Sequence, residues 1–270
     1  MSLLLCRREP VKHPYYVEVL GIHVYSSQEL CYVIYNHPLL VMDDFVDDTL
    51  LGFIRSELDM GLVADRMEKL CETGSRAEEV LLLFLMECDY YSEKEIQKFK
   101  MAAATFRSLH AAQYEKARAD YFFVKHQYGR ALSRYEKIVE YPRDNVVDES
   151  FLARVYGSLG AACAQLFQFA RALAAYDKAY ELSRSPEVLK RIYFLSRLST
   201  ELEIREGIRS QFKEELRNRW NQEMSQAMLD AGQADEVRSL RALFKKDPLK
   251  RLNGASRMIQ GWKQEYRQMI

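Results

Sequence analysis

The sequence predicts an all-α protein, and three observations support this fold class. Only 11 of the 270 residues are glycine and 6 are proline, which favours long helices over a loop-rich β fold. Ser26-x-x-Glu29 and Ser92-x-x-Glu95 have the spacing of a capping box, in which a hydroxyl and a carboxylate satisfy N–H groups of the first helical turn. Gly129-Arg130-Ala131-Leu132-x-x-Tyr135 recurs as Ala170-Arg171-Ala172-Leu173-x-x-Tyr176, which indicates a helical repeat.

The N-terminal segment has a different character. Residues 15–20 and 22–25 are rich in β-branched and aromatic side chains around Gly21, so a short β-hairpin is predicted there. The capping box at Ser26 begins a helix that should end near Asn36, because Pro38 disfavours helical backbone at the preceding residue.

Four further helices are predicted before the repeat. Asp43 and Asp44 should begin one that runs to about residue 58, since acidic residues are favoured at a helix N-terminus. Residues 63–71, 77–88 and 92–109 give the others. The helix over 77–88 is apolar on one broad face and should be deeply buried.

The two copies of the repeat are 41 residues apart. Helix–turn–helix repeats have periods of about 34 residues, so the extra residues are placed in the segment 141–150. Gly160 and Ala172 should let two helix backbones approach, and Tyr156 and Tyr176 should fill the wedge between successive helix pairs.

A third, decayed repeat begins at Ser185-Pro186. Apolar residues then recur every four positions over residues 204–228. Such a stripe winds round a helix, so either different neighbours bury successive parts or the helix bends or breaks. Asp247-Pro248 caps a last helix, whose apolar residues alternate steps of three and four and should face one neighbouring helix. This seam consists of Leu252, Ala255, Ile259, Trp262, Tyr266 and Met269. This helix should cap the end of the repeats, and the alternative is that it docks on a partner protein.

These elements suggest three regions. Residues 1–110 form an N-terminal helical section packed on the repeats. Residues 111–230 contain repeats at about 111–145 and 152–186 and a degenerate one at 186–230. Residues 231–270 form C-terminal capping helices.

Composition argues against several function classes. Lys plus Arg equals Asp plus Glu at 39 each, so bulk charge favours neither nucleic acid nor membrane as a partner. Residues 1–110 carry 11 basic and 18 acidic side chains, whereas residues 184–270 carry 18 and 12. This asymmetry fits solvated helix faces, or a basic C-terminal face that meets an acidic partner. Five cysteines without C-x-x-C spacing indicate reduced thiols and a cytoplasmic location.

Motifs that carry enzyme chemistry are absent from the sequence. No phosphate-binding glycine loop or nucleophile elbow occurs, and the five histidines are scattered without metal-binding spacing. Asp43-Asp44-x-x-Asp47-Asp48 could hold a divalent cation, but it lacks the glycine turn and terminal glutamate of a calcium loop. We therefore predict a chain that is not an enzyme and that needs no metal and no cofactor.

Residues 112–186 resemble the tetratricopeptide repeat superfamily, in the manner of a bacterial repeat protein. The resemblance implies a right-handed solenoid of helical hairpins, with a concave groove that binds an extended peptide or a partner helix. The residues that carry it are Ala119, Phe122, Tyr128, Ala131, Leu132 and Tyr135 in the first copy, and Tyr156, Leu159, Gly160, Phe169, Ala172, Leu173, Tyr176, Ala179 and Pro186 in the second. The groove positions it implies are Gln113, Lys116, Asp120, Phe123, Arg154, Gly157, Ala161, Arg191 and Leu195.

The leading functional hypothesis is a scaffold or adaptor that binds a protein or peptide in this groove. The alternative is a peptide-sensing regulator whose N-terminal section responds to ligand. A third hypothesis, an enzyme whose site is assembled from distant residues, has no supporting motif. The sequence leaves the identity of the partner and homo-oligomerisation open.

Overall fold

A computed structural model of the chain describes residues 11–270, which are mostly helical with one small two-stranded sheet. The predicted all-α class is confirmed at this level, whereas Cys6 and the rest of residues 1–10 lie outside the described part. The chain divides into two compact units, unit 1 (Met1–Tyr121) and unit 2 (Phe122–Ile270). The strands are β1 (Tyr15–Val17) and β2 (Ile22–Val24), and the helices are α1 (Ser27–Asn36), α2 (Pro38–Val41), α3 (Asp48–Gly52), α4 (Gly61–Glu72), α5 (Ala77–Glu87), α6 (Glu93–Ser108), α7 (Ala111–Val124), α8 (Tyr128–Val139), α9 (Glu149–Gln165), α10 (Phe169–Ser183), α11 (Pro186–Leu198), α12 (Glu206–Arg209), α13 (Glu214–Gly232), α14 (Asp235–Phe244) and α15 (Pro248–Met269).

The division between the units falls inside α7, after residue 121, and unit 2 extends from there to residue 270.

The predicted β-hairpin is confirmed in unit 1. Strands β1 and β2 pair antiparallel, with Tyr15 opposite Val24 and Val17 opposite Ile22. A 3₁₀ turn over Glu18–Leu20 joins them. Gly21 follows with a φ of 65°, in the left-handed region that favours glycine.

The capping residues begin their helices as the sequence predicts. The Ser26 hydroxyl accepts a hydrogen bond from the Glu29 N–H at 3.1 Å. The Glu95 carboxylate accepts one from the Ser92 N–H at 2.9 Å. The helix predicted over 77–88 is α5, and its apolar face lies in the core of unit 1. Its fully buried apolar residues are Val80, Leu81, Phe84 and Leu85.

The helix predicted over residues 43–58 is wrong in its first turn. The Asp47 carboxylate accepts the Leu50 N–H at 2.8 Å, so α3 begins at Asp48. Asp43 lies before this start and bonds to side chains of α6 and α7 instead. Beyond α3 the chain forms a π-helical turn, Phe53–Glu57. Turns of this kind are rare and are frequently found at functional sites.

The turn before each repeated motif has the same backbone geometry in unit 2. His126 and Phe167, 41 residues apart, adopt φ values of 60° and 59°. Gln127 and Gln168 follow them, and each donates its N–H at 2.9 Å to the carbonyl five residues earlier. Because left-handed backbone costs a non-glycine residue about 1 kcal/mol, its recurrence at one repeat position indicates that the surrounding fold imposes it.

Close packing of α9 on α10 depends on Gly160, as predicted. A Cβ atom at this position would lie 2.6 Å from the Tyr176 ring, which is nearer than real Cβ contacts allow. The Tyr176 side chain is 4% exposed and Ala172 on the same helix is fully buried. The pair of a small residue and an aromatic ring therefore sets the distance between these helices.

The apolar stripe over residues 204–228 is divided by breaks in the helix. After α11 the chain is irregular, then forms only the single turn α12, and α13 begins at Glu214. Trp220 is 4% exposed, and its ring centroid lies 5.3 Å from that of Tyr193 on α11. Because the helix is interrupted, α13 can direct this part of the stripe towards α11. A single straight helix could not direct the whole stripe towards one neighbour.

The seam of α15 is largely exposed in the described structure, so the expectation of one neighbouring helix along it is wrong. Leu252 is 64% exposed, and Ile259 and Trp262 are each 46% exposed. The contact of α15 with α14 runs along another face, where Gly254 lies directly against the Leu243 side chain. Steps of three and four residues thus predict an apolar face correctly, but they do not determine whether the chain covers it.

Candidate functional site

The groove positions implied in α7 have local partners. In unit 1, Lys116 donates to the Asp120 carboxylate at 2.6 Å, one helical turn away, and Gln113 is exposed. Phe123, in unit 2, packs edge-to-face on Tyr128 with ring centroids 5.2 Å apart. The positive charge of Lys116 is therefore already balanced within its own helix.

Four of the positions in unit 2 form one surface, which we name the α9–α11 surface: Arg154, Gly157, Ala161 and Arg191. The first three are spaced by three and four residues, which places them on one face of α9. Arg191, on α11, donates to the Gly157 carbonyl at 3.5 Å. The structure thus brings the implied positions of α9 and α11 together.

The α9–α11 surface is positively charged. Arg154 and Arg191 are exposed, and their guanidinium carbons lie 5.8 Å from the Phe151 ring centroid and 5.9 Å from that of Tyr176. A Cβ atom added to Gly157 would meet no heavy atom within 4 Å, but Gly157 itself is buried. The two arginines, and not the glycine backbone, are therefore the groups that this surface presents.

Leu195 does not belong to this surface. Its side chain is 3% exposed, although it lies one turn beyond Arg191 on the same helix. It contributes to the core of unit 2 and is not accessible to a ligand in this conformation.

A buried carboxylate on α10 was not expected from the sequence. Asp177 is 5% exposed; its Oδ2 lies 3.3 Å from Arg205 Nε, and its Oδ1 has no hydrogen-bond partner. Arg205, in the segment between α11 and α12, also pairs with Glu181. Burial raises the pKa of Asp177, and the Arg205 charge opposes this only in part.

Unit 1 contains a network of buried ionic groups that the sequence did not reveal. Arg107 on α6 donates two hydrogen bonds of 2.8 Å to the Glu78 carboxylate on α5 and one of 2.6 Å to the Met42 carbonyl. Asp43 accepts from the Tyr114 hydroxyl at 2.9 Å. Arg118, which is 6% exposed, also donates to Asp43.

The charges in this network balance, and hydrogen bonds satisfy almost all of its polar atoms. Burial raises the pKa of Glu78, but hydrogen bonds from Arg107 and from the Glu78 backbone outweigh that effect and leave it below the ordinary value. Burial raises the pKa of Tyr114, as does its bond to Asp43. The groups therefore tie α5, α6 and α7 to the chain before α3. Their partners are up to 75 residues apart in the sequence, so no local spacing reveals them.

A cavity of about 420 Å³ opens beside the hairpin of unit 1. Small-molecule pockets in proteins commonly span about 300–1,000 Å³. Aromatic side chains supply much of its wall, and the π-helical turn contributes one side. Its lining residues are His13, Pro14, Tyr15, Tyr16, Thr49, Gly52, Phe53, Ser56 and Glu57.

One carboxylate dominates the polar part of this cavity. Glu57 Oε1 lies 2.9 Å from His13 Nδ1, and Glu57 Oε2 accepts the N–H groups of Lys12 at 2.8 Å and His13 at 3.1 Å. These hydrogen bonds, first from the His13 ring and then from the two backbone N–H groups, hold the pKa of Glu57 below its usual range. The carboxylate is therefore ionised at neutral pH. His13 and Glu57 are 44 residues apart, which is why motif spacing did not identify the pair.

Comparison of the chain with protein-family models, curated proteins and solved structures finds no match. Among the described residues, no helix combines the length and apolarity needed to cross a bilayer. The same residues contain no group of three His, Cys, Asp or Glu side chains arranged to bind a metal ion. Asp43 and Asp47, considered above as cation ligands, bond to Tyr114 and to a helix N-terminus respectively.

Proposed function

We propose that the chain is a protein-binding scaffold of the tetratricopeptide type, and that the α9–α11 surface binds an acidic segment of a peptide or partner helix. The observation that carries the proposal is that the exposed Arg191 lies against the Gly157 carbonyl, on the α9 face that also presents the exposed Arg154. The recurring turn geometry at His126 and Phe167 supports the repeat assignment on which it depends.

The two arginines should make this surface prefer an acidic ligand. Exposed guanidinium groups recognise carboxylates through paired N–H donors. Each stands over an aromatic ring, so its orientation is partly fixed before a ligand arrives and less side-chain entropy is lost on binding.

The test compares capture of native partners by wild-type protein and by matched variants. Arg154→Glu with Arg191→Glu reverses the charge of the surface, and Gly157→Leu adds bulk beside Arg191 without changing charge. Arg217→Glu, at an exposed site on α13, is the control for charge reversal elsewhere in unit 2, with half the change in net charge.

Both surface variants should lose a shared set of captured proteins that wild type and the Arg217→Glu variant retain. Quantitative mass spectrometry of the captured material measures this difference. An unchanged set in both surface variants, with native circular dichroism, would show that the α9–α11 surface is not the binding site.

A further inference from the structure

We propose that the cavity of unit 1 lined by Tyr15, Tyr16, Phe53 and Glu57 binds a methylated, quaternary ammonium group. This site is separate from the α9–α11 surface and involves different residues. Aromatic side chains line this cavity, and the Glu57 carboxylate carries a negative charge there while it accepts hydrogen bonds from nearby donors.

The aromatic rings supply the first part of the argument. Tyr15 and Phe53 line the same cavity with ring centroids 5.7 Å apart. The Tyr16 ring packs on His23 instead, with ring centroids 4.7 Å apart, so two rings carry the argument. Aromatic faces attract cations because the ring quadrupole is negative on its faces. Burial and the nearby Asp47 charge raise the pKa of Tyr15 to about 12, so its hydroxyl stays protonated at neutral pH.

The carboxylate determines the sign of the ligand charge. Glu57 is held by the ring of His13 and by two backbone N–H groups, so the donors that an anion would need are already engaged. The same bonds keep a negative charge at the cavity wall. An anionic ligand would be repelled there, whereas a cation would gain from Glu57 and from the rings together.

The hydrogen bonds that Glu57 already accepts favour a methylated cation over a primary ammonium. A primary ammonium brings three N–H donors that require acceptors, whereas Glu57 already receives three hydrogen bonds and has about one acceptor site left. A quaternary ammonium has no N–H, and its methyl groups pack against apolar ring faces. Its charge is also weakly hydrated, so less solvation is lost when it enters the cavity.

Choline and its neutral isostere 3,3-dimethylbutan-1-ol are the probes, titrated separately into the full chain and followed by isothermal calorimetry and NMR. Choline should bind saturably and the alcohol more weakly by about fivefold or more. An Nε-trimethyl-lysine peptide, titrated alongside, distinguishes a free ammonium ligand from a protein side chain as the natural source. Equal affinity for choline and the alcohol, or binding of neither choline nor the peptide, would overturn the proposal.

Three substitutions test the roles of individual residues. Glu57→Gln removes the charge and should weaken choline binding by about fivefold. Tyr15→Leu removes a ring of the cavity and should weaken it by about threefold, while Tyr32→Leu, at an aromatic residue of α1 that is 54% exposed and outside the cavity, should leave it unchanged. His13→Ala removes a donor whose partial positive charge offsets the charge of Glu57, so it should strengthen choline binding.

The His13→Ala variant separates a cation site from an anion site, since removing the imidazole would weaken binding of an anion. Weaker choline binding in His13→Ala, or equal losses in Tyr15→Leu and Tyr32→Leu, would overturn the proposal. Should Glu57→Gln or Tyr15→Leu fail to fold, the His13 variant still decides the question, because its side chain is exposed.

Discussion

Replacing Arg107 by methionine should destabilise unit 1 strongly, because it leaves a buried carboxylate without its partner. The Glu78 side chain is 8% exposed and receives two hydrogen bonds from Arg107. Breaking a buried ion pair from one side costs about 3–5 kcal/mol. Arg107 is 28% exposed, so water can reach part of the vacated space and we expect about 3 kcal/mol.

The loss should also depend on pH. In the wild type the pKa of Glu78 lies below its ordinary value, so its contribution is present at neutral pH and disappears as pH falls through the folded-state pKa. Without Arg107, burial is opposed only by the Glu78 backbone hydrogen bond and the Arg76 charge, so the pKa of Glu78 rises from its wild-type position. The Arg107→Met variant should therefore lose stability at neutral pH and regain part of it on acidification. Its difference from wild type in free energy of unfolding should become smaller once the pH falls below the ordinary pKa range of glutamate.

Thiol labelling resolved by mass spectrometry can measure this effect within each unit. Cys31 is buried in unit 1 and Cys163 is buried in unit 2. If labelling follows transient opening, about 3 kcal/mol corresponds to roughly a hundredfold faster labelling of Cys31. Replacing Glu78 by leucine in the same chain should restore most of the stability, because an apolar pair can substitute for a buried ion pair.

The matched control is Arg66→Met. Arg66 pairs with Glu87, and these side chains are 55% and 35% exposed, so its loss should cost less than about 1 kcal/mol. Equal labelling of Cys31 in the Arg107 and Arg66 variants would refute the view that burial of Glu78 makes the network essential.

Two further predictions concern unit 2. Gly160→Ala should destabilise it by about 1–3 kcal/mol, because the added methyl overlaps the Tyr176 ring. Gly157→Ala on the same helix adds a methyl with no heavy atom within 4 Å and should be neutral or slightly stabilising. Thermal unfolding followed by tryptophan fluorescence compares the two variants, and equal effects would contradict the packing argument. Asp177→Asn should stabilise unit 2 at neutral pH, because burial raises the pKa of Asp177 and its ionised form is therefore penalised in the fold. That gain in stability should vanish once the pH falls below the ordinary pKa range of aspartate. Urea titrations at neutral pH and below that range measure it. A loss of stability at neutral pH would mean that the Asp177–Arg205 pair outweighs the burial penalty.

Local signals predicted the starts of several helices well. Ser26, Ser92 and Asp247 each lie at the N-terminal cap of a helix, since capping depends on a few consecutive residues. The signal failed at Asp43, where two candidate caps compete. Asp47 caps α3, while Asp43 bonds to residues of α7 that lie more than 70 positions away.

The candidate sites were predicted less completely, for a related reason. Four of the positions that the resemblance implies, Arg154, Gly157 and Ala161 on α9 and Arg191 on α11, do lie together, whereas Leu195 on α11 is buried. The network around Glu78 and the cavity beside Glu57 join residues separated by 29 and 44 positions. No periodicity connects such residues, so their proximity could not be inferred.

The sequence by itself determined the helical class, the hairpin, most helix starts and the small-residue contact at Gly160. All of these follow from interactions between near neighbours or from a repeat that fixes its own register. Only the tertiary structure decided which charged groups are buried, where the cavity opens and whether an apolar face is covered. The α15 seam shows the distinction most clearly: its spacing is visible in the sequence, but coverage of Trp262 depends on where the remaining helices pack, and they leave it 46% exposed.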